Sequence, residues 1–226
     1  GVNTLFNALL NERWFQDAPP KYLHASAAGG MSLQASVAQR WRELTGTPIV
    51  EGYGLTESSP VLTFNPLTGM AKDGTTGIPV PSTEIKCIDD NGNEVAFGEP
   101  GEVIARGPQI MLGYWQRPEE TAKTLKDGWL HTGDVAVMDT DGYLTIVDRT
   151  HDMIIVSGFN VYPNEIEEQI AAVPGVLEVG VIGVPDEKSG ERVRAYIKAT
   201  VPAPSKEEIV AHCRTNLAAY KIPQDV

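Results

Sequence analysis

Residues 49–57 read Ile49-Val50-Glu51-Gly52-Tyr53-Gly54-Leu55-Thr56-Glu57, a short apolar run that leads directly into a glycine-rich turn. The run Ile49-Val50 is typical of a buried strand. The two glycines that follow let the backbone turn sharply and come close to a ligand, as bulkier residues would not. A helical pattern precedes this run, and the order helix, strand, glycine turn indicates an α/β domain.

The helix before the strand is predicted from four apolar residues that share one helical face: Leu33, Val37, Trp41 and Leu44. We expect Ser32 to cap its amino end. We expect Gly46 to end the helix, since glycine readily adopts the left-handed conformation, and Pro48 to prevent its return.

The polar residues of the glycine turn suit a nucleotide. The Thr56 hydroxyl suits a phosphate oxygen, the Glu57 carboxylate suits Mg²⁺, and the flat face of Tyr53 suits a base. The turn is not a Walker A loop, because Gly-Lys-Ser/Thr is missing, and it lacks the third glycine of a dinucleotide fingerprint. An ordinary strand-to-loop turn with solvated polar residues is the alternative, and both interpretations stay open on residue types alone.

Composition limits the class of partner. The 226 residues contain 18 Lys and Arg against 30 Asp and Glu, a net charge of −12. This charge argues against a nucleic acid or an anionic membrane surface as the main partner, because both select clustered Lys and Arg. It does not exclude a pocket for an anion, and residues 1–72, which include the glycine turn, carry five charges of each sign.

The cysteines and the apolar runs indicate in which cellular compartment the protein is found. Only two cysteines are present, Cys87 and Cys213, which favours a reducing compartment over a disulfide scaffold or a thiolate metal site. The apolar runs are too short to span a bilayer. We therefore expect a cytoplasmic location. The chain begins at Gly1 rather than at a methionine, and we expect it to be a piece of a longer protein.

Two further segments are candidates for ligand contacts. The small residues Gly29-Gly30-Met31 precede the predicted helix and would let a planar group lie against the backbone; close packing of a strand on its helix is the alternative. Asp134 follows Gly133, and a carboxylate held in this way can bind both hydroxyls of a ribose. An isolated acid in this position is more often merely a turn residue, and that is the alternative for Asp134.

Two segments near residue 150 suggest movement and ligand contact. The charged run Asp148-Arg149-Thr150-His151-Asp152 fits either a solvated linker or a hinge from which Arg149 reaches a ligand. The run Ser157-Gly158-Phe159-Asn160-Val161-Tyr162-Pro163 is a glycine–aromatic loop before a helix. It fits either a substrate-lining loop or a hydrophobic staple.

The patterns predict a mixed α/β and α+β chain of three units, 1–72, 73–148 and 149–226. The second unit has four short strand patterns and one helix, which favour an antiparallel sheet or a distorted barrel: Thr83–Ile88, Gly101–Arg106, Ala136–Met138, Tyr143–Asp148 and the helix Pro118–Leu125. The third unit shows an αββα pattern, with a helix opened by Pro163, strands over Val176–Val184 and Arg194–Val201, and a last helix capped by Ser205-x-x-Glu208.

Six ordered blocks together resemble the adenylate-forming enzymes, the superfamily of acyl-CoA synthetases, luciferases and peptide-synthetase adenylation domains. The blocks are Gly29-Gly30-Met31, Gly52-Tyr53-Gly54-Leu55-Thr56-Glu57, Gly101-Glu102 with Arg106-Gly107-Pro108, Gly113-Tyr114, Gly128-Trp129-Leu130-His131-Thr132-Gly133-Asp134, and Ser157-Gly158-Phe159-Asn160-Val161-Tyr162-Pro163-x-Glu165. Within the superfamily, residues 1–10 and 155–167 are similar to bacterial long-chain fatty-acid–CoA ligases.

The resemblance implies a two-step reaction. A fatty carboxylate attacks the α-phosphate of Mg·ATP, giving an acyl-adenylate and pyrophosphate, and the coenzyme A thiol then displaces AMP. It also implies the end of a large α/β domain over 1–72, a β-rich subdomain over 73–148, and an incomplete mobile C-terminal lid over 149–226.

The resemblance also assigns roles by motif position. Tyr53, between Gly52 and Gly54, would stack on adenine in a pocket lined by Gly29, Gly30 and Met31. Thr56 would contact phosphate and Glu57 would hold Mg²⁺, and these two are the catalytic candidates. Asp134 would bind the ribose hydroxyls with help from Arg149. Gly158, Phe159 and Asn160 would approach the pantetheine of CoA, and His151 stands at the hinge position.

Two family features are missing from this sequence: the Lys-Gly-terminated loop that grips the β- and γ-phosphates, and the C-terminal catalytic lysine. We therefore expect the 226-residue chain alone to be inactive. Three alternatives stay open: a ligase for medium-chain or aryl acids, a fatty-acyl-AMP ligase, and a non-catalytic adenylate-binding or scaffold module. Peripheral contact with the inner membrane and a homodimer also stay open.

Overall fold

A computed structural model describes residues 1–149 and 152–226 of the chain. The chain is a mixed α/β protein, as predicted, and divides into two compact units, Gly1–Ile146 and Val147–Val226. A further boundary between residues 72 and 73, inside the first unit, stays a prediction. None of the helices in the described ranges is long and apolar enough to cross a bilayer.

The first unit contains four helices and two sheets. Its elements are α1 (Asn3–Asn11), α2 (Arg13–Asp17), β1 (Ser26–Ala28), α3 (Ala35–Thr45), β2 (Ile49–Tyr53), β3 (Thr63–Phe64), β4 (Ile78–Pro79), β5 (Glu84–Ile88), β6 (Pro100–Arg106), α4 (Pro118–Thr124), β7 (Leu125–Lys126), β8 (Trp129–Met138) and the start of β9 (Leu144–Arg149). One sheet has the order β1-β2-β3-β4, and the other has the order β5-β6-β8-β7 with β9 paired to β8. β1 and β2 pair in parallel, whereas the pairs β2–β3, β3–β4, β5–β6, β6–β8 and β7–β8 are antiparallel.

The helix predicted before the glycine turn is α3, and Gly46 ends it in the left-handed conformation, at φ +72°. The predicted cap is wrong. The N-cap residue is Gln34, not Ser32, and no side chain caps the helix. The Gln34 amide instead donates to Oδ1 of the buried Asn3, at 3.0 Å. The start of α3 is therefore set by a tertiary contact with α1, which a local cap signal does not report.

Two hydrophobic clusters stabilise the first unit. Phe6, Phe15 and Trp41 form the centre of one cluster, in which the Phe15 and Trp41 rings stack at 5.3 Å. The other cluster lies under the β5–β9 sheet and includes Tyr53 and Leu62. Tyr53 at the end of β2 is thus packed against residues of the second sheet.

The second unit is a four-stranded sheet with two helices. Its elements are the end of β9, β10 (Ile154–Val156), β11 (Phe159–Val161), α5 (Pro163–Ala171), β12 (Val176–Asp186), β13 (Gly190–Ala199) and α6 (Lys206–Asn216), and the sheet order is β11-β10-β13-β12. The buried core includes Ile166 and Ile170 of α5 and Ile209 of α6. The predicted capping box is confirmed, because the Ser205 hydroxyl accepts from the Glu208 amide and the Glu208 carboxylate accepts from the Ser205 amide.

The αββα prediction for this unit is incomplete, because it missed the hairpin β10–β11. Ser157 and Gly158 form its turn, both with positive φ, at +52° and +83°. Two-residue turns of this kind match the twist of the flanking strands. Each strand is only three residues long, too short for an alternating pattern to stand out in the sequence.

Candidate functional site

The two glycine motifs predicted to line a nucleotide pocket leave the same edge of one sheet. In the parallel pair β1–β2, Ala28 lies opposite Glu51, so Gly29 and Gly54 both follow the carboxyl ends of their strands. Open α/β sheets bind ligands at this edge. A Cβ on Gly29 would lie 3.2 Å from the Gly52 oxygen, and a Cβ on Gly54 would lie 1.8 Å from the Pro60 oxygen. In both motifs, therefore, the glycine backbone lies close to the backbone of another residue.

The turn after Tyr53 is held in shape by Ser58, a residue for which the sequence pattern predicts no role. Thr56–Ser58 forms one 3₁₀ turn, and Ser58 is fully buried. Its Oγ accepts from the Leu55 amide at 3.0 Å and lies 2.9 Å from the Pro60 oxygen. Thr56 is exposed on the outside of this turn. The sequence does not distinguish Ser58 as the buried residue of this turn, because a second serine, Ser59, follows it directly.

The structure brings together two residues that were predicted independently, Tyr53 and Asp134. The Tyr53 hydroxyl donates to Oδ2 of Asp134 at 2.6 Å. Both residues are nearly buried, with 9% and 8% of their surface exposed. A short bond to a carboxylate is charge-assisted and is stronger than a neutral one. The candidate adenine-stacking residue and the candidate ribose-binding residue are therefore one connected unit.

An irregularity in β8 sets the direction of Asp134. Glu102 pairs with Val135 and Ile104 pairs with His131, so three residues of β8 lie opposite Val103 alone. Gly133 in this bulge has φ +71°. Bulges of this kind re-aim side chains and occur next to active sites. Asp134 is thus a strand residue in a bulge and not a simple turn residue.

Glu102 and Thr132 hold this bulge in place, and their residue types alone predict no role for either. Oε1 of Glu102 accepts from the Gly133 amide at 3.2 Å, and Oε2 lies 3.2 Å from Nδ1 of His131. The Thr132 hydroxyl donates to the Val103 oxygen at 2.7 Å and accepts from the Asp134 amide at 3.1 Å. The signal that could have found them is the Gly133-Asp134 dipeptide, a bulge-forming glycine inside a strand pattern.

Glu57, the candidate Mg²⁺ ligand, is contacted by the segment that precedes α4. Its Oε1 accepts from the Tyr114 hydroxyl at 2.6 Å, and its backbone oxygen accepts from the Met111 amide at 2.8 Å. The hydrogen bond to Glu57 raises the pKa of the Tyr114 phenol, because ionisation would place a second negative charge beside the carboxylate.

The donor set around Glu57 fits Mg²⁺ only as part of a nucleotide complex. Within residues 1–149 and 152–226, no three acidic, histidine or cysteine side chains are grouped to hold a metal ion. Mg²⁺ at a nucleotide commonly binds one or two carboxylates and completes its shell with phosphate oxygens and water. One carboxylate beside an exposed threonine is consistent with that arrangement.

The candidate CoA-contacting residues lie in the second unit, in and beside the β10–β11 turn. Gly158, Phe159 and Asn160 are exposed. The Phe159 ring stacks on Tyr220, with centroids 4.6 Å apart and planes at 18°. The next residue, Lys221, forms an ion pair with Glu165 at 2.5 Å. The C-terminal segment therefore supports this turn, a contact that the sequence pattern did not indicate.

The predicted hinge region is described only in part. His151 lies outside the described residues, and Arg149 is an exposed residue at the end of β9. Asp148 is buried, and its carboxylate accepts from the amides of Arg149 and Asn164, at 2.8 and 3.1 Å. Burial raises the pKa of Asp148 above its ordinary value, despite these two donors.

Comparison with protein-family models gives two matches. Residues 1–115 match the model described as AMP-binding enzyme, and residues 165–226 match AMP-binding enzyme C-terminal domain. The chain is 55% identical over 224 residues to a protein named long-chain-fatty-acid–CoA ligase from Escherichia coli O157:H7. That alignment covers 99% of this chain and 40% of the E. coli protein, so the chain spans less than half of the relatives it matches.

Solved structures with the same fold carry nucleotides. ATP-bound MatB from Rhodopseudomonas palustris matches with a TM-score of 0.93 and 34% identity, over 99% of this chain and 45% of MatB. The anthranilate CoA ligase AuaEII, solved with anthranoyl-AMP, matches with a TM-score of 0.92 and 33% identity, over 99% of this chain and 44% of AuaEII. Family models, a close relative and solved structures agree, and the chain belongs to the AMP-binding enzymes, the adenylate-forming family that its sequence blocks resemble.

Proposed function

We propose that this chain supplies the adenylate site and part of the CoA site of an acid–CoA ligase that acts on long-chain fatty acids. The substrates are a fatty acid, ATP and CoA. The relative at 55% identity bears the name of this activity. In the reaction, a carboxylate oxygen attacks the α-phosphorus of ATP and pyrophosphate leaves. The CoA sulfur then attacks the acyl carbonyl, loses its proton, and AMP leaves.

The hydrogen bond between Tyr53 and Asp134 is the observation that supports the adenylate site most directly. A base that stacks on Tyr53 carries its ribose at a fixed distance, and Asp134 lies one hydrogen bond away from that ring. We assign the Asp134 carboxylate, whose Oδ2 also accepts from Tyr53, to the ribose hydroxyls. Gly29, Gly30 and Met31 line the pocket beside the base, where a side chain on Gly29 would approach the Gly52 oxygen. The assistance of Arg149 at the ribose stays a prediction.

Thr56 and Glu57 act on the phosphates in this proposal. Thr56 is exposed on the 3₁₀ turn and its hydroxyl donates to a phosphate oxygen. Glu57 would hold Mg²⁺, which when bound neutralises phosphate charge and stabilises the departing pyrophosphate. The turn that carries both residues is held by the buried Ser58, whose Oγ accepts from the Leu55 amide.

The second unit contributes the surface for the thiol substrate. Gly158, Phe159 and Asn160 contact the pantetheine arm of CoA, and His151 stands at the hinge position that is used between the two half-reactions. An adenylate must be shielded from water and later exposed to a thiol, which a moving lid achieves. Because the chain spans 40% of its relative, we infer that the isolated 226 residues do not form an adenylate.

A second candidate keeps the chemistry and changes the acid. The chain is 33% identical to AuaEII, an anthranilate CoA ligase, so an aryl acid is a specific alternative to a fatty acid. A hybrid in which this chain replaces the matching 40% of the E. coli ligase reports whether the chain supports thioester formation. The acid itself is tested with the longer protein of which we expect this chain to be a piece, assayed with octanoate, palmitate and anthranilate. We expect a preference for palmitate, and a preference for anthranilate would favour the alternative.

The role of Asp134 has its own test, which uses the 226-residue chain. We expect the chain to bind AMP at least tenfold more tightly than 2′,3′-dideoxy-AMP, because bonds to a charged acceptor contribute about 1.5–3 kcal/mol. Asp134→Asn should reduce that discrimination. Glu99→Gln, at an exposed acid, is the control. Equal binding of both nucleotides to the wild-type chain would remove Asp134 from the ribose site.

A further inference from the structure

Glu57 is held at two points by one short segment, residues 111–114. The Met111 amide donates to the backbone oxygen of Glu57 at 2.8 Å, and the Tyr114 hydroxyl donates to its Oε1 at 2.6 Å. A free glutamate side chain turns about three bonds and populates many orientations. The bond from Tyr114 restricts the carboxylate to orientations that keep Oε1 on the phenol.

Tyr114 itself is anchored by the first turn of α4. Its amide donates to Oγ1 of Thr121 at 2.9 Å, and the Thr121 hydroxyl donates to the Arg117 oxygen at 2.8 Å. Gly113 permits this approach, because a Cβ there would lie 2.7 Å from Cγ2 of Thr121, at a φ of +149°. The backbone of Tyr114 is therefore fixed beside α4, and the phenol extends from it to Glu57, although about a third of the residue is exposed.

We infer that Tyr114 is a positioning residue that aims the Glu57 carboxylate at the cation of the ATP complex, a role that rests on the proposed function. With Oε1 occupied by the phenol, Oε2 is the oxygen directed to the cation. A neutral phenol donates to the carboxylate without competing for it as a charge, unlike a lysine or an arginine at that place. Outer partners of metal-binding side chains commonly contribute 10–100-fold to metal affinity.

The test is equilibrium binding of ATP and AMP to the 226-residue chain, with Mg²⁺ and with EDTA, for four proteins. These are the wild type, Tyr114→Phe, Glu57→Gln and Tyr22→Phe. Tyr22 is 87% exposed in the same unit, so Tyr22→Phe removes a hydroxyl without touching the site. Circular dichroism of each variant checks that the fold is kept.

We expect Mg²⁺ to tighten ATP binding to the wild type and to Tyr22→Phe. That gain should fall about tenfold in Tyr114→Phe and vanish in Glu57→Gln. AMP affinity should be the same in all four proteins, which separates positioning of the carboxylate from a general structural defect.

Each other result overturns a defined part of the proposal. If Tyr114→Phe keeps the full Mg²⁺ gain while Glu57→Gln loses it, Tyr114 does not position the carboxylate. If Tyr114→Phe weakens AMP and ATP equally, its role is structural. If Glu57→Gln keeps the gain, the cation does not use Glu57 and the inference fails with it. If the wild type binds neither nucleotide, the proposed function itself fails.

Discussion

The Tyr53 hydroxyl donates a 2.6 Å hydrogen bond to Asp134, a residue 81 positions later in the chain. This bond joins the end of a parallel strand in one sheet to a bulge in the neighbouring antiparallel sheet. Both residues are nearly buried, so the bond contributes to the stability of the first unit as well as to the shape of the proposed site.

Tyr53→Phe is expected to destabilise the chain by about 1–3 kcal/mol, because it removes a donor from a buried carboxylate and leaves the ring in place. Urea unfolding measures the difference. Tyr22→Phe, at an exposed position, should change stability by less than about 0.5 kcal/mol. Equal stability of Tyr53→Phe and the wild type would show that the bond contributes nothing to the fold.

Gly54→Ala tests the close approach inside the glycine turn. The new Cβ would lie 1.8 Å from the Pro60 oxygen, so the turn must open. We expect a loss of about 3 kcal/mol or more and weaker AMP binding. Gly180→Ala is the matched control, since nothing lies within 4 Å of its Cβ and its φ is not positive. Similar unfolding free energies for the two variants would contradict the account of the turn.

The partly buried carboxylate of Glu167 leads us to predict that the stability of the second unit depends on pH. Burial, with the nearby charges of Asp148 and Asp152, raises the pKa of Glu167, although the Val181 amide donates to it. Glu167 therefore binds its proton more tightly in the folded state than in the unfolded state, in which the pKa of a glutamate is about 4.3. The resulting stability is complete below that pH and is lost as pH rises through the raised pKa.

Glu167→Gln keeps an oxygen for the Val181 amide and removes the buried charge. We expect its melting temperature to change less than that of the wild type between about pH 4 and pH 8, and to equal or exceed the wild-type value at the upper end. Glu168→Gln, an exposed neighbour on the same helix, should follow the wild-type curve. A Glu167→Gln curve parallel to the wild-type curve would contradict the assignment.

Tyr220→Leu tests the support of the β10–β11 turn. It keeps an apolar side chain but removes the ring that stacks on Phe159, a contact of about 0.5–1.5 kcal/mol. Amide exchange over residues 157–161 should accelerate by about two- to tenfold, while α6 stays protected. Tyr196→Leu, exposed on the same sheet, should leave the turn unchanged. Unchanged exchange in Tyr220→Leu would mean that the stack does not hold the turn.

The parts of the site that could be predicted from the sequence are those in which neighbouring residues indicate the chemistry by their type. The turn at 52–57 and the acid at 134 stood out because glycine and polar residues interrupt strand patterns. The helix α3 was predicted, but its start was not, because the Gln34 amide is satisfied by Asn3 from another helix. Glu102 and Tyr114 could not be assigned from residue type, since each acts through a partner that only the tertiary fold brings near. Ser58 bonds within its own turn, and its residue type alone does not distinguish it from Ser59.

Fatty-acid-dependent exchange of labelled pyrophosphate into ATP tests the central claim, that this chain carries the adenylate site of an acid–CoA ligase. The assay compares three proteins: the hybrid in which this chain replaces the matching 40% of the E. coli ligase, and the Asp134→Asn and Glu57→Gln variants of that hybrid. We predict exchange that requires palmitate and falls at least tenfold in both variants. A folded hybrid that binds ATP yet shows no exchange, or exchange unaffected by both substitutions, would contradict the account.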